Sequence, residues 1–297
     1  MSDSPLTAVI IQARMGSKRL PGKVLLDIAG APMLAHVVRR ARRAQKVSTV
    51  LVATTTDQAD DPIAAYCNQQ GIACYRGSEF DVLDRYYRAA RQLETEVVVR
   101  VTADCPVIDP QLIDRTVAYF LGEIGSPPPP RPGNPFPWDF AANRLPPPWG
   151  RTYPIGLDTE VCSFTALETA WQHASQPHQR EHVMPYLYEF SPVADSRQLE
   201  AYTPPDLHTA PHFDPQQPRF RVLLVNHSED FGDLRWTVDT PEDLEVVRGI
   251  FRHFAGQEQF SWLDILALAQ SHPQLFSKNA SVPHKQLYDV DARGGAN

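Results

Sequence analysis

The chain has 297 residues and a formal net charge of -7, with 42% hydrophobic and 21% charged residues. These are globular values, and the length suffices for one large α/β domain, or two small ones, with a sizeable core. The acidic balance argues against a protein that coats nucleic acid, because the phosphate backbone rewards a basic surface, but it leaves room for one anionic ligand at a local basic patch.

Residues 7–12, "TAVIIQ", read as a short apolar strand. The stretch that follows, "QARMGSKRLPGK", crowds two glycines and four cations (Arg14, Lys18, Arg19, Lys23) into an otherwise acidic chain. "PMLAHVVRRARRA" then carries apolar residues at helical spacing, with Pro32 suited to the first turn. "STVLVAT" (48–54) is a second buried-type strand. Asp61 is placed to cap the helix "IAAYCNQQ", which Gly71 stops. A short strand at 72–76, a helix at 81–93 and a strong strand at 96–104 follow. Asp109-Pro110 caps the helix "LIDRTVAYFL".

Residues 122–151 break this rhythm, because prolines lack the backbone donor that helix and sheet need. "DFAANR" within them reads as a strand. Residues 156–174 start extended and become helical around Ser163, and a second irregular insertion covers 191–218. "LRWTVD" (234–239) reads as a strand that leads into the helix "TPEDLEVVRGIFRHF", with Thr240 as cap and Glu242 and Asp243 in its positive first turn. "WLDILALAQ" is the last helix. The reading is one domain over 1–276 with insertions near 122–151 and 191–218, and a disordered tail over 277–297.

Strands alternating with helices indicate a three-layer α/β fold on a parallel sheet with right-handed connections. Cys67, Cys74, Cys105 and Cys162 show neither CxxC nor zinc spacing and read as free thiols of a reducing compartment. No basic region precedes an apolar core at the N-terminus and no run approaches eighteen apolar residues, so a cytoplasmic protein without membrane or nucleic-acid partners is expected.

The glycine- and cation-rich stretch fails as a P-loop. From Gly16 the second glycine should fall at position 21, which is proline, and Lys23 is followed by Val24 rather than a hydroxyl residue. The G-x-G-x-x-G pattern fails too. A loop after the first strand nevertheless lies at the carboxyl edge of a parallel sheet, where such folds bind ligands. Its amides near Gly16 and its four cations suit a triphosphate, against the bland alternative of a solvated basic loop. Asp104 and Asp239, each ending a predicted strand, should reach the same edge. Two carboxylates beside phosphates are what magnesium requires, the alternative being ordinary turn or capping acids. "HQREH" (178–182) matches the H-x-x-E-H zinc pattern, a weak match because only three positions of five are specified.

"IIQARMGSKRLPGK" resembles the opening motif of cytidylyltransferases that make CMP-sugars, such as the CMP-sialic acid and CMP-KDO synthetases. "YRGSEFDVLDRYYRAA", "VRVTADCPVIDPQLID", "RTYPIGLDTEVCSFTALETAW", "REHVMPYLYEF" and "LRWTVDTPEDLEVVR" are more similar still, in order, to the spore coat polysaccharide biosynthesis protein F family. The resemblance covers about residues 7–255. It implies a Rossmann-like nucleotidyltransferase fold with a mixed, mostly parallel sheet, a homodimer, CTP as donor, a sugar acceptor and Mg2+. On it, Arg14, Ser17, Lys18, Arg19 and Lys23 would hold the triphosphate, with Ala13 and Gly16 in the same loop. Arg76, Ser78 and Arg85 would frame the nucleotide. Asp104 and Asp239 would be the metal ligands and, with Arg14 and Lys23, the catalytic set. Asp158, Glu160, Arg180, Glu181 and His182 would face the acceptor. The proline-rich segment and the 191–218 insertion are longer than the family pattern and flank the acceptor side. Alternatives are another nucleotide donor, a glycosyltransferase, or a non-catalytic nucleotide-binding protein.

Overall fold

The computed structural model describes residues 4–131, 133–201 and 220–283. Strand β1 (Thr7–Gln12) opens the chain, and a small hairpin, β2 (Asp27–Ile28) and β3 (Ala31–Pro32), follows its loop. The hairpin turns on Ala29 and Gly30, both at positive φ, as a two-residue turn requires. Then come α1 (Met33–Ala41), β4 (Thr49–Thr55), α2 (Asp61–Gln69), β5 (Ala73–Gly77), α3 (Val82–Gln92), β6 (Val97–Thr102) and α4 (Pro110–Leu121). The second half adds β7 (Phe140–Ala142), β8 (Glu160–Ser163), α5 (Phe164–His173), α6 (Pro177–His182), α7 (Pro185–Tyr188), β9 (Val193–Asp195) and β10 (Val222–Leu224). Helices α8 (Pro241–His253), α9 (Trp262–Ser271) and α10 (Pro273–Phe276) complete it.

Of the ten strands among the described residues, eight form one sheet, in the order β5-β4-β1-β6-β8-β7-β10-β9. Only β8 runs against its neighbours, antiparallel to both β6 and β7. The sheet is thus mixed and mostly parallel, as expected. Strand residues alternate between two apolar layers. Val9, Ile11, Val50, Val52, Val97 and Val99 pack under α1, α2 and α4 residues such as Val37, Ile63 and Val117. Ile10, Leu51 and Val98 pack on the other face against Leu83 and Tyr86 of α3 and Leu167 of α5. Burial on both faces is why these strands read as continuous apolar runs. A third cluster joins α8 and α9 to Trp236, Val238, Ile28 and Met33.

Two caps form as read, at Asp109 and Thr240, and Ser163, where the sequence turns helical, caps α5 as well. Asp109 accepts the amides of Gln111 and Leu112, Ser163 that of Ala166, and Thr240 that of Asp243. Asp61 does not cap α2. It is the first helical residue, its carboxylate pairs with Arg76, and Asp60 occupies the cap position. Residues 234–239 are not a strand. They make one parallel bridge, Arg235 to Ile155, and the ladder stops there because the partner chain turns away: Gly156 lies at φ +101 and the Leu157 amide folds back to the Pro154 carbonyl at 3.2 Å. The Val238 amide goes instead to the Asp104 carbonyl at 2.9 Å. Strand β6 also stops short of Asp104, which lies in the turn beyond Thr102. The 191–218 insertion is partly regular, since Val193–Asp195 adds an edge strand beside β10. Residues 202–218 of it lie outside the described residues. Of the tail expected over 277–297, Ser277–Asn279 form a 3-10 turn with Asn279 only 2% exposed. Residues 284–297 of it lie outside the described residues.

Candidate active site

Register decides what meets at the sheet edge. Gln12 pairs with Ala53 on one side and Thr102 on the other, so β1, β4 and β6 finish level and the loop after β1 starts there. That loop is built, not loose. Ala13 is buried and its amide donates to the Ala53 carbonyl. The Met15 amide donates to Asp60 Oδ1 at 2.7 Å, and the Met15 carbonyl accepts from Ser17 and Gly22. Ser17 Oγ accepts the Leu20 amide. Gly22, at φ +69, turns the chain into a short 3-10 turn that begins at Lys23. Gly16 and Lys18 are exposed, and Arg14, Ser17 and Arg19 half-buried.

Lys23 enters the protein. Its side chain is 8% exposed, and Nζ donates to Asp104 Oδ2 at 2.7 Å, Asp239 Oδ1 at 2.9 Å and the Val238 carbonyl at 2.8 Å. Sequence spacing could not show that the two acids, 135 positions apart, meet at one ammonium. Burial alone would lower the Lys23 pKa, but the facing Asp104 and Asp239 carboxylates outweigh it and raise it. Asp239 is also held by Arg19 Nη2 at 2.8 Å and Arg235 Nη2 at 2.9 Å. Burial pushes its carboxyl up, yet Lys23 above all, then Arg19 and Arg235, hold it well below the usual carboxylate range. Asp104 Oδ1 accepts the Thr102 hydroxyl at 2.5 Å.

Behind Asp239 lies a buried support that the sequence did not reveal. Asp243, fully buried, binds Arg235 through both oxygens at 2.8 Å and accepts the Asp239 and Thr240 amides. Asn279 Nδ2 donates to Asp243 Oδ1 at 2.9 Å and to the Arg235 carbonyl at 3.1 Å. Asp243 reads from the sequence only as a first-turn helix acid.

Arg85, on α3, is fully buried. One of its nitrogens donates to the Ser78 carbonyl at 2.7 Å, while Nε and Nη2 meet no hydrogen-bond partner among the described residues. Burial, with the nearby Arg14 adding to it, lowers its pKa to about 10, so the guanidinium stays charged at neutral pH. Ser78 Oγ accepts the Asp81 amide. Arg76 is occupied structurally, donating to the carbonyls of Thr55 and Asp57 and pairing with Asp61.

The remaining candidates divide. Glu160 opens β8 opposite Arg100 of β6 and pairs with it, and Arg100 Nη2 also reaches Gln12 Oε1 at 3.3 Å. Asp158 is gripped by Arg151 at 2.6 and 3.1 Å; burial raises its carboxyl, but Arg151 and Arg144 hold it lower than usual. These two acids stand beside β6, whose continuation carries Asp104. Arg180 turns elsewhere, to Asp81 at the start of α3 and to the Trp171 carbonyl of α5. Glu181 and His182 share its short helix α6 and are half-buried. His178, first residue of the H-x-x-E-H match, bonds Glu189.

The family model described as cytidylyltransferase matches residues 8–222. The chain is 29% identical to the spore coat polysaccharide biosynthesis protein SpsF of Bacillus subtilis over 89% of this chain and 94% of that protein. It is 33% identical to the 3-deoxy-manno-octulosonate cytidylyltransferase of Anaeromyxobacter sp. (strain K), over 82% of this chain and 96% of that one. A solved cytidylyltransferase from Leptospira borgpetersenii superposes with a TM-score of 0.72 at 27% identity, covering 94% of this chain and 99% of that one.

Proposed function

Since the chain belongs to the cytidylyltransferase family, and so is a nucleotidyltransferase, we propose that it transfers a cytidylyl group from CTP to a hydroxyl of an acidic or unusual sugar. The observation that carries the reading is the meeting of Asp104 and Asp239 at Lys23, directly under the cationic loop. The names of two relatives, one for 3-deoxy-manno-octulosonate and one for spore coat polysaccharide, support a sugar acceptor for surface glycan synthesis.

In this reading Arg14, Ser17, Lys18 and Arg19, with the backbone at Gly16, cradle the triphosphate, and Ala13, its amide bonded to Ala53, anchors the base of that loop. Charge builds on the leaving pyrophosphate, and preplaced cations lower that barrier. Arg85 offers its two unpaired donors to the nucleotide from beneath, beside Arg14, and Arg76 and Ser78 keep the wall in which it sits. The acceptor oxygen forms a bond to the α-phosphorus, the bond from that phosphorus to the bridging oxygen breaks, pyrophosphate leaves, and the hydroxyl proton passes to solvent. Asp158 and Glu160, with Arg151 and Arg100 that face them, would orient the acceptor; the guanidiniums suit an acidic sugar.

Asp104 and Asp239 fit a divalent cation of the magnesium type, since both are hard oxygen donors held at one point and such ions take few protein ligands. Bound there, it would supply neutralisation of the phosphates and acidification of the acceptor hydroxyl. The test is pyrophosphate release from CTP, compared with UTP, GTP and ATP, across a panel of sugar acids and amino sugars. CTP-selective release with one acceptor class is expected. Release that persists unchanged in Asp104→Asn would overturn the role of that carboxylate.

A further inference from the structure

The Lys23 ammonium sits on three oxygens, from Asp104, Asp239 and the Val238 carbonyl. These are hard oxygen donors of the kind a magnesium-type ion takes. We propose that Lys23 is a tethered placeholder: it competes with the divalent cation for the same two carboxylates, and it is the group that must withdraw for the cation to bind. The inference rests on the reading of Asp104 and Asp239 as metal holders.

Charge balance makes withdrawal necessary. Lys23, Arg19 and Arg235 face Asp104, Asp239 and Asp243, so the cluster is neutral as it stands. A divalent ion added to it would leave two uncompensated positive charges in a partly buried site, which is costly. One of the three cations has to yield. Arg235 cannot, because its side chain is 5% exposed and Asp243 grips it at two nitrogens. Arg19 touches Asp239 from the more open side and does not bridge to Asp104. Lys23 alone bridges the pair. Among the described residues its Nζ is held by no group outside this set, and its four-carbon stem rises from the start of the loop's 3-10 turn. Once displaced, its charge is on the loop that faces the triphosphate, where it adds to the cradle. Before that, it satisfies two carboxylates that would otherwise repel each other.

The experiment is Mn2+ titration of the nucleotide-free protein, followed by electron paramagnetic resonance, for the wild type and for Lys23→Met, Lys18→Met and Asp104→Asn. Removing the competitor should tighten Mn2+ binding at least tenfold in Lys23→Met. Lys18→Met removes the same charge from an exposed position of the same loop and should bind within twofold of wild type. Equal tightening in both lysine variants would overturn the placeholder, because only long-range charge would then be at work. If Lys23→Met binds no more tightly while Asp104→Asn loses the ion, the metal reading stands and the placeholder falls. If Asp104→Asn binds as the wild type does, both fall. Should Lys23→Met fail to fold, the unaltered chain decides: Lys23 should be protected from reductive methylation without Mn2+ and become reactive with it, read by peptide mass spectrometry. Unchanged reactivity would overturn the proposal.

Discussion

Asp60 accepts the Met15 backbone N–H at 2.7 Å, so a buried carboxylate just before α2 fixes the path of the cationic loop after β1. The same carboxylate accepts the Thr55 hydroxyl and amide through its other oxygen. It ties the ends of β1 and β4 together at the edge where the nucleotide is proposed to lie. Asp60→Ala should strip three donors of their acceptor and cost about 3 kcal/mol, since hydrogen bonds to a buried charge are among the stronger ones. Urea unfolding gives the stability loss, and isothermal titration with CTP should show a weaker complex. Wild-type affinity in the variant would mean that the loop finds its path without Asp60.

Arg85 separates binding from folding. A buried guanidinium with one protein acceptor contributes little to stability, because desolvation offsets what it gains. Arg85→Met should therefore melt within a few degrees of wild type while its affinity for CTP falls by about tenfold, the worth of one charge-assisted hydrogen bond. A large loss of stability with intact CTP binding would make Arg85 a structural residue only.

Gly156 lies at φ +101, and a Cβ there would stand 2.5 Å from the Thr237 nitrogen and 2.7 Å from the Trp236 carbonyl carbon. Both the angle and the close approach exclude a side chain. Gly156→Ala should push the 235–239 segment away and cost about 2–4 kcal/mol. Because that segment carries Asp239, calorimetry should show a lower melting temperature together with weakened binding of metal and nucleotide. A melting temperature equal to wild type would contradict the crowding.

The acid-base cluster sets a pH window. The folded Asp239 pKa is depressed below its unfolded value of about 3.9, so its contribution is complete above that value and drains away as pH falls toward the folded one. The folded Lys23 pKa is raised, so its contribution is complete below the unfolded value of about 10.4 and lost as pH rises through the folded one. The stability gap between wild type and Asp239→Asn should be flat from about pH 5 to 9 and shrink below about pH 4. Urea midpoints across this range measure it, and a gap unchanged down to about pH 3 would refute the assignment.

Local signals were legible in the sequence where a residue acts on its own neighbours. Asp109, Ser163 and Thr240 cap helices because each needs only the amides two or three residues ahead. The apolar runs announced strands buried on both faces. What stayed hidden was long-range choice. Asp60 and Asp61 are adjacent acids before one helix, and only the position of Met15 decides which is bonded to the loop. The 234–239 segment alternates like a strand but meets a partner that turns away at Gly156 after one bridge. The meeting of Lys23 with Asp104 and Asp239 joins three distant segments. Nothing in the sequence around Arg180 signals its pairing with Asp81, 99 positions earlier. Asn279 sits in a polar stretch, and nothing around it signals that its amide reaches a buried aspartate.

The reversed direction of β8 has a consequence for how such a protein can diversify. Because β8 runs against β6, Glu160 stands at the beginning of a strand, and the chain that leads into it, with Arg151 and Asp158, arrives from outside the sheet. The half of the rim proposed to hold the nucleotide is made by loops that leave strands, the other half by a loop that enters one. The entering loop can lengthen or change composition without shifting the register of β1, β4 and β6, which the departing loops depend on. On the proposed function, one half of the rim is thereby free to drift toward new acceptors while the other keeps its nucleotide.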